Sequence, residues 1–591
     1  MRDKGRDRDA RRLPCGARHQ AGQAVLRLVS RGRGGNEGED GGVDRAGQGA
    51  GEGRRGSQKR SRAQEVSFLR STFAVGALTS LSRVLGLVRE MLQSRLIGAG
   101  VEQSAFTLAF AIPNMARKLF GEGALTAAFV PVFKGELEKE GLEKARALAR
   151  AVLTMAFLML GAAVLLAVAG LSMALDYAPW GFAANSEACR RTALILRLTR
   201  LLLPYMLFIC GAAFGMGVLN AMGKFKAAAF MPSMLNVFWI AALAVLLFLG
   251  DWPLSRRVVF VCWAILLAGA AQMAFMFVCM RRRGISPRFT FRGWGSPPVR
   301  LVWHNTCIAA LGAGAVQINY MLDQVLGQIA APWAAGVIGY AERLMDLPLG
   351  VIGVAFGTVL LPTFAGHFAR GDQAAAQTIL RQSLRTLLFV MIPSATGLCV
   401  LAPEIVRVIY EGNAFDAQAT VRVARALAVY ALGLGFFGCQ KSFVPWFQAQ
   451  NDMRTPLRVS VATVFLNATL NILAVFLLPV EWRHVGLAAS TVVCAAAGCA
   501  LLIGAAHRRN GALGLVQDVP DIVRMLFAAV GMASVLYFLR SAISSLFAPL
   551  GDKFGEIVTL GMLVLAGIAT YGALSLLCFG TRVRTLLRRR R

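Results

Sequence analysis

Histidine is scarce in this chain, 5 of 591 residues, and acidic residues are outnumbered, 32 Asp and Glu against 63 Lys and Arg. The histidines (His19, His304, His367, His484 and His507) are dispersed, and none of the eleven cysteines forms a C-x-x-C pair. Neither a zinc site nor a disulfide framework is therefore encoded. No glycine-rich phosphate loop ending in Gly-Lys-Ser/Thr is present, so the chain does not hydrolyse ATP by that route. Charged residues make up only 16%, against about 25% in soluble domains. The net charge of +31 would suggest nucleic acid in a soluble protein. Here the cations mostly sit between apolar runs, where membrane topology explains them and no nucleic-acid partner is needed.

What is abundant is apolar sequence: 56% of residues are hydrophobic, and mean hydropathy is +0.56. A bilayer-spanning helix needs about 20 apolar residues. Fourteen segments qualify: about 70–97, 104–133, 149–173, 192–221, 226–249, 258–280, 301–330, 333–365, 384–403, 418–448, 456–479, 485–506, 520–541 and 556–579. The expected fold is an all-α polytopic membrane protein. Basic residues concentrate in alternate loops, for example Arg281, Arg282, Arg283, Arg288 and Arg292, and in the tail Arg588–Arg591. The positive-inside rule then places both termini in the cytoplasm, as an even number of spans requires. Residues 1–65 are Arg/Gly/Asp-rich, without apolar periodicity or the apolar core of a signal peptide. They read as a disordered basic extension, with the natural start expected near Val66.

Two patterns recur at one spacing. Ala128-Phe-Val-Pro131-Val-Phe133 is echoed by Val359-Leu-Leu-Pro362-Thr-Phe364, 231 residues on, and Leu235-Asn236 by Leu466-Asn467 at the same separation. We read a pseudo-twofold repeat: an N-lobe of six helices over 66–285, a basic cytoplasmic linker at 286–299, and a C-lobe of six helices over 300–508. Two further helices and a basic tail occupy 509–591. Parallel repeats of this kind hold substrate between the lobes in many transporters.

The chemistry lies in cations within apolar segments. A charge at mid-bilayer costs about 2.5–3.5 kcal/mol on insertion scales, so Arg83, Arg89 and Arg117 need a reason. At about 100° per residue, Thr79, Ser82, Arg83, Gly86, Arg89, Glu90 and Gln93 share an arc of about 120°. Leu81, Val84, Leu85, Val88, Met91 and Leu92 fill the other side. Arg117 shares a face with Gly121, Ala124 and Ala128, while Lys118 and Glu122 are expected to pair on another. Arg343 and Asp346 lie over Gly350, Gly353 and Gly357. Arginine's planar fork suits phosphate, and these arginines could enclose a diphosphate. Neutralisation by Glu90 or Asp346 is the competing reading. Asp323, Asn467 and Asn471 are oxygen donors that could hold Na⁺ or a proton, or simply bond helices together.

Longer motifs carry a resemblance. Ser82-Arg-Val-Leu-Gly-Leu-Val-Arg-Glu90, Ile97-Gly-Ala-Gly100, Ile112-Pro-Asn114, Tyr340-Ala-Glu-Arg-Leu-Met-Asp-Leu-Pro348 and Gly350-Val-Ile-Gly-Val-Ala-Phe-Gly357 resemble the MurJ (MviN) family of lipid II flippases. The likeness runs from about Val66 to the C-terminus. It implies the multidrug/oligosaccharidyl-lipid/polysaccharide exporter fold and a lipid-tail groove at the last two helices. It also implies transfer of undecaprenyl-pyrophosphate-linked peptidoglycan precursor between leaflets of the bacterial inner membrane. On the same basis Arg83, Arg89, Arg117 and Arg343 match the family's cavity arginines. The resemblance further implies an acidic gate residue where this chain has Ser104; Glu102 stands two residues away. Related members carry Asp where Asn471 stands.

The expectation is therefore an alternating-access flippase for lipid II, not an enzyme, with no cofactor and with Na⁺ or H⁺ and the membrane potential as coupling. Membrane lipids and the peptidoglycan synthesis and division machinery are the expected surroundings. The rivals are an exporter of another undecaprenyl-linked glycan or of drugs, a lipid II-processing membrane enzyme, and a division scaffold.

Overall fold

The structure, a computed structural model, describes residues 75–119, 124–177, 186–248, 252–547 and 552–588. The extension at 1–65, Glu122 and the last three arginines of the tail lie outside these residues. Among the described residues the architecture is helical, and the only extended pairing is one bridge between Gly412 and Phe415.

The N-lobe comprises α1 (75–97), α2 (Val101–Ala116), α3 (Ala124–Lys139), α4 (Gly141–Tyr177), α5 (Glu187–Leu202), α6 (Tyr205–Ala221), α7 (Phe225–Phe248) and α8 (Leu254–Arg281). The C-lobe comprises α9 (Pro297–Ala330), α10 (Ala334–Ala369), α11 (Gln373–Val400), α12 (Ala402–Tyr410), α13 (Ala417–Leu432), α14 (Leu434–Ala449), α15 (Arg454–Leu477) and α16 (Val480–Asn510). The hairpin α17 (Val519–Phe547) and α18 (Asp552–Arg588) follows.

Nine described spans are long and apolar enough to cross a membrane, α5 and α6 together making one of them, and ten if α13 and α14, bent by 45°, form one span. They coincide with ten of the fourteen expected segments. The other four segments are helical too, and they are the ones that carry Arg83, Arg89, Arg117, Asp323 and Arg343. In the expected segment 104–133, α2 passes into a π-helical turn at 117–119, and residues 120–123 lie outside the described residues. The described helices α2 and α3 have 16 residues each. Pro204 separates α5 from α6 because it lacks the N–H that would continue the helix.

The apolar residues collect into lobe-specific cores. One joins α1–α8 around Phe129, Phe133, Phe214 and Trp239, and another joins α9–α16 around Tyr340, Tyr410, Phe415 and Tyr430. Helix α9 belongs to both: Val299 and Val302 sit in the first, Leu326 and Ala330 in the second. The α17–α18 hairpin docks on α11 and α12 through Leu401, Met532, Leu536 and Tyr571. Large apolar side chains left outside these cores, such as Leu166 (74% exposed) and Leu577 (79%), form the lipid-facing surface.

Candidate functional site

One face of α1 behaves as its periodicity predicts. Leu81, Val84 and Val88 are exposed on the outside, while Gly86, Arg89, Glu90 and Gln93 line a cavity of about 390 Å³ between the lobes. Asn236 fixes α1 there: its amide donates to the Ser82 carbonyl at 2.9 Å and its oxygen accepts from Arg89 Nη1 at 3.0 Å. The Arg89 guanidinium also lies 4.4 Å from the centre of the Trp239 ring. Its Nη2 pairs with the neighbouring Glu90, and its Nε is buried without a partner.

Glu90 is the hinge of the electrostatics. It holds Arg89 on its own helix and lies 3.5 Å from Nε of Arg343 on α10 of the other lobe. Arg117 reaches the same cavity from the end of α2, held by two hydrogen bonds of 3.1 Å to Asn114 Oδ1. Arg89, Arg117 and Arg343 are thus brought together from three helices of two lobes. Arg83 is not in this wall. Its Nη2 donates to the Gly350 carbonyl at 2.9 Å across the lobe boundary. Gly350 permits that approach, since a Cβ there would meet the guanidinium at 3.2 Å.

Two charged residues were assigned elsewhere or overlooked. Lys118 lines the cavity, its ammonium 4.9 Å from the Tyr320 ring centre of the opposite lobe. Its expected pairing with Glu122 falls outside the described residues. Glu342 lines it too, accepting from the Tyr430 hydroxyl at 3.4 Å. Asp346 joins them. The lining therefore carries Arg89, Arg117, Lys118 and Arg343 against Glu90, Glu342 and Asp346. The surplus of positive charge is smaller than the sequence suggested. In this closed arrangement Glu90 pairs with Arg89 and Arg343, while Asn114 holds Arg117.

The cavity is shut at the end where α1 gives way to α2. Gln93 Nε2 donates to Gln103 Oε1 at 2.9 Å. Gln328 Nε2 donates to the carbonyl and hydroxyl oxygens of Ser104 at 2.6 and 3.0 Å. Beyond them the Tyr340 hydroxyl donates to the Gly98 carbonyl at 3.1 Å and Ser94 Oγ to the Tyr410 carbonyl at 3.0 Å. Tyr340, Tyr410 and Phe415 pack behind these bonds in tilted and edge-on ring contacts. Two glycines allow the close approach. Gly98 has φ of +79°, and a Cβ on it would fall 2.0 Å from the Ala414 oxygen; a Cβ on Gly336 would meet Ser104 N at 3.3 Å. Ser104 thus sits in the closure as a neutral hydrogen-bonding residue. Glu102 is near Gly100, with its carboxylate 3.7 Å from where a Cβ would stand.

Asp323, Asn467 and Asn471 also converge. Asn471 Nδ2 donates to Asp323 Oδ1 at 2.6 Å and to Asn467 Oδ1 at 2.7 Å, and Asn319 Nδ2 approaches Asp323 Oδ2 at 3.3 Å. Asn319 Oδ1 and Asn471 Oδ1 are buried without partners. Rotating the Asn471 amide would present oxygen instead of nitrogen, so the donor set suits a hard cation. Among the described residues no cluster of His, Cys, Asp and Glu could hold a metal ion.

A charged cavity between two helical lobes, shut at one end, is the arrangement of a membrane transporter. The family described as lipid II flippase MurJ matches residues 93–553. The chain is 32% identical over 530 residues to a probable lipid II flippase MurJ of Rhizobium tropici, across 88% of this chain and 96% of that protein. It is 30% identical over 478 residues to the lipid II flippase MurJ of Burkholderia cenocepacia, across 80% and 89%. The fold matches a solved lipid II flippase MurJ in an inward closed conformation, with TM-score 0.68 at 23% identity over 86% of this chain and 99% of that one. It also matches an inward-facing MATE transporter of the MOP superfamily, with TM-score 0.60 at 14% identity over 75% and 98%. The chain belongs to the lipid II flippase MurJ family.

Proposed function

We propose that this protein moves lipid II from the cytoplasmic to the outer leaflet of the bacterial inner membrane, with both termini in the cytoplasm. The observation that carries the reading is the convergence of Arg89, Arg117 and Arg343 on one cavity, with Glu90 shared between the lobes. A diphosphate offers each guanidinium a pair of oxygens in place of a carboxylate, and hydrogen bonds to charged groups contribute about 1.5–3 kcal/mol each. The displaced Glu90 then no longer ties α1 to α10, so headgroup binding and lobe movement are coupled through one side chain. Arg83, on the Gly350 carbonyl, holds the lobes together along the same boundary. A drug exporter has no need of three convergent arginines.

Asp323, with Asn319, Asn467 and Asn471, would hold a coupling cation, Na⁺ or H⁺. The membrane potential would bias the cavity charges during the return step. The test is growth of cells depleted of their own flippase. Wild-type protein restores growth and Arg343→Ala does not, at equal membrane abundance. Full rescue by Arg343→Ala would remove that residue from the transport site.

A further inference from the structure

Positive residues are disfavoured on the side of a membrane away from the cytoplasm, yet α5 and the start of α8 carry Arg190, Arg191, Arg197, Arg200, Arg256 and Arg257. This is the closed end of the lobes, since Arg257 Nη1 donates to the Leu96 carbonyl at 3.0 Å, two residues before Gly98. Arg190 and Arg256 also stand near the positive ends of their helix dipoles, a second unfavourable placement. Arg200 is bonded to Ser172 at 3.3 Å. Arg190, Arg197 and Arg256 are exposed and make no side-chain hydrogen bond or ion pair among the described residues. Arg191 Nε is buried without a partner. The nearby Glu187 is exposed and neutralises none of them.

These unpaired arginines line two adjoining grooves. One, of about 520 Å³, holds Arg190 and Arg197; the other, of about 400 Å³, holds Arg197 and Arg256 beside Trp252, Phe260 and Trp263. Ser255 borders both. Together α5 and α6 cover 35 residues, about 52 Å at 1.5 Å per residue, against about 40–45 Å for a bilayer with its headgroups. Arg197 lies about 15 Å along that rod, near the boundary of headgroups and acyl chains, where Trp263 (59% exposed) also faces outward. An aqueous protein partner does not reach this depth; a lipid phosphate does.

We propose that the α5–α8 grooves bind the phosphate of an anionic phospholipid in the leaflet at the closed end of the lobes. Arg190, Arg197 and Arg256 hold the headgroup while Phe260 and Trp263 flank its chains. The site is separate from the interlobe cavity, and the proposal needs only the membrane-embedded fold, not lipid II as the cargo.

A photo-crosslinking amino acid at Val259, an exposed residue of the second groove, reads the site locally in full-length protein. The membranes are mixtures of phosphatidylglycerol and phosphatidylcholine. Crosslinks should favour phosphatidylglycerol. With about 1 kcal/mol per arginine near the surface, each substitution by Gln should lower that preference about fivefold and the triple variant about a hundredfold. Arg197→Lys, which keeps the charge and loses the fork, should fall between wild type and Arg197→Gln. Equal crosslinking of both lipids, or an unchanged triple variant, would overturn the proposal. Full displacement by added pyrophosphate would make this a site for free anions and overturn it too. Lipid II translocation measured on the same preparations separates failure here from failure of the flippase reading.

Discussion

Replacing Glu90 by Gln removes a carboxylate that links α1 to α10 while keeping its shape. At 3.5 Å, two unit charges interact by about 5 kcal/mol at an effective dielectric constant of about 20. Glu90 is nearly buried, 14% exposed, but Arg343 is 53% exposed to the cavity. Screening there reduces the share belonging to Arg343 to about 2 kcal/mol. Arg89 keeps Asn236 and Trp239, so the N-lobe should stay folded while the contact across the lobes weakens. The predicted result is a shift of about 30-fold in the equilibrium from closed to open at this end. Spin labels at Ala188 and Gln418, exposed positions on opposite lobes, would report it by pulsed dipolar spectroscopy in a background lacking native cysteines. Glu90→Gln should broaden the distance distribution toward longer values. An unchanged distribution would refute the view that Glu90 holds the lobes together.

Three further outcomes follow from the same closure and its surroundings. Gly98→Ala should block full closure, because its backbone is left-handed and the new methyl would collide with the Ala414 carbonyl; the same labels should show loss of the short-distance population. Gln328→Leu should strand the Ser104 hydroxyl and loosen the closed state by about 1–3 kcal/mol, again read as a longer distance. At the loop between α14 and α15, bonds from Thr455 and Arg454 and the nearby Arg509 hold the Asp452 carboxyl below its usual value despite its burial. A depressed carboxylate contributes stability above its unfolded pKa and loses it as pH falls through the folded one. Asp452→Asn should therefore lower thermal stability by the same amount at all pH values from about 6 to 8, with the difference disappearing only in acid below the normal carboxylate range.

Much of the cavity lining was legible because it obeys helical spacing. Arg89, Glu90 and Gln93 follow from one arc of α1, and the Leu81–Val84–Val88 face follows from its complement. The place of Lys118 in the lining was not legible, because the π turn at 117–119 departs from 3.6 residues per turn. Glu342 was missed because it neighbours Arg343, about 100° away on an ideal helix; the cavity curves around α10 far enough to reach both. The displacement of Arg83 onto Gly350 and the Ser104–Gln328 bond join residues 267 and 224 positions apart. No local pattern encodes such pairings. The Asp323–Asn471 contact was half legible: both residues were visible as polar groups in apolar helices, and their distance was not.

We expect arginines from both lobes to handle a diphosphate-linked lipid as the lobes alternate. Purified protein in proteoliposomes, loaded with fluorescent lipid II in one leaflet, tests it most directly. Wild-type protein should expose the headgroup on the opposite side at a rate that depends on the imposed potential. Folded Arg89→Ala and Arg343→Ala proteins should leave it where it started. Transfer by these variants at the wild-type rate, or none by the wild type under any imposed gradient, would contradict the account.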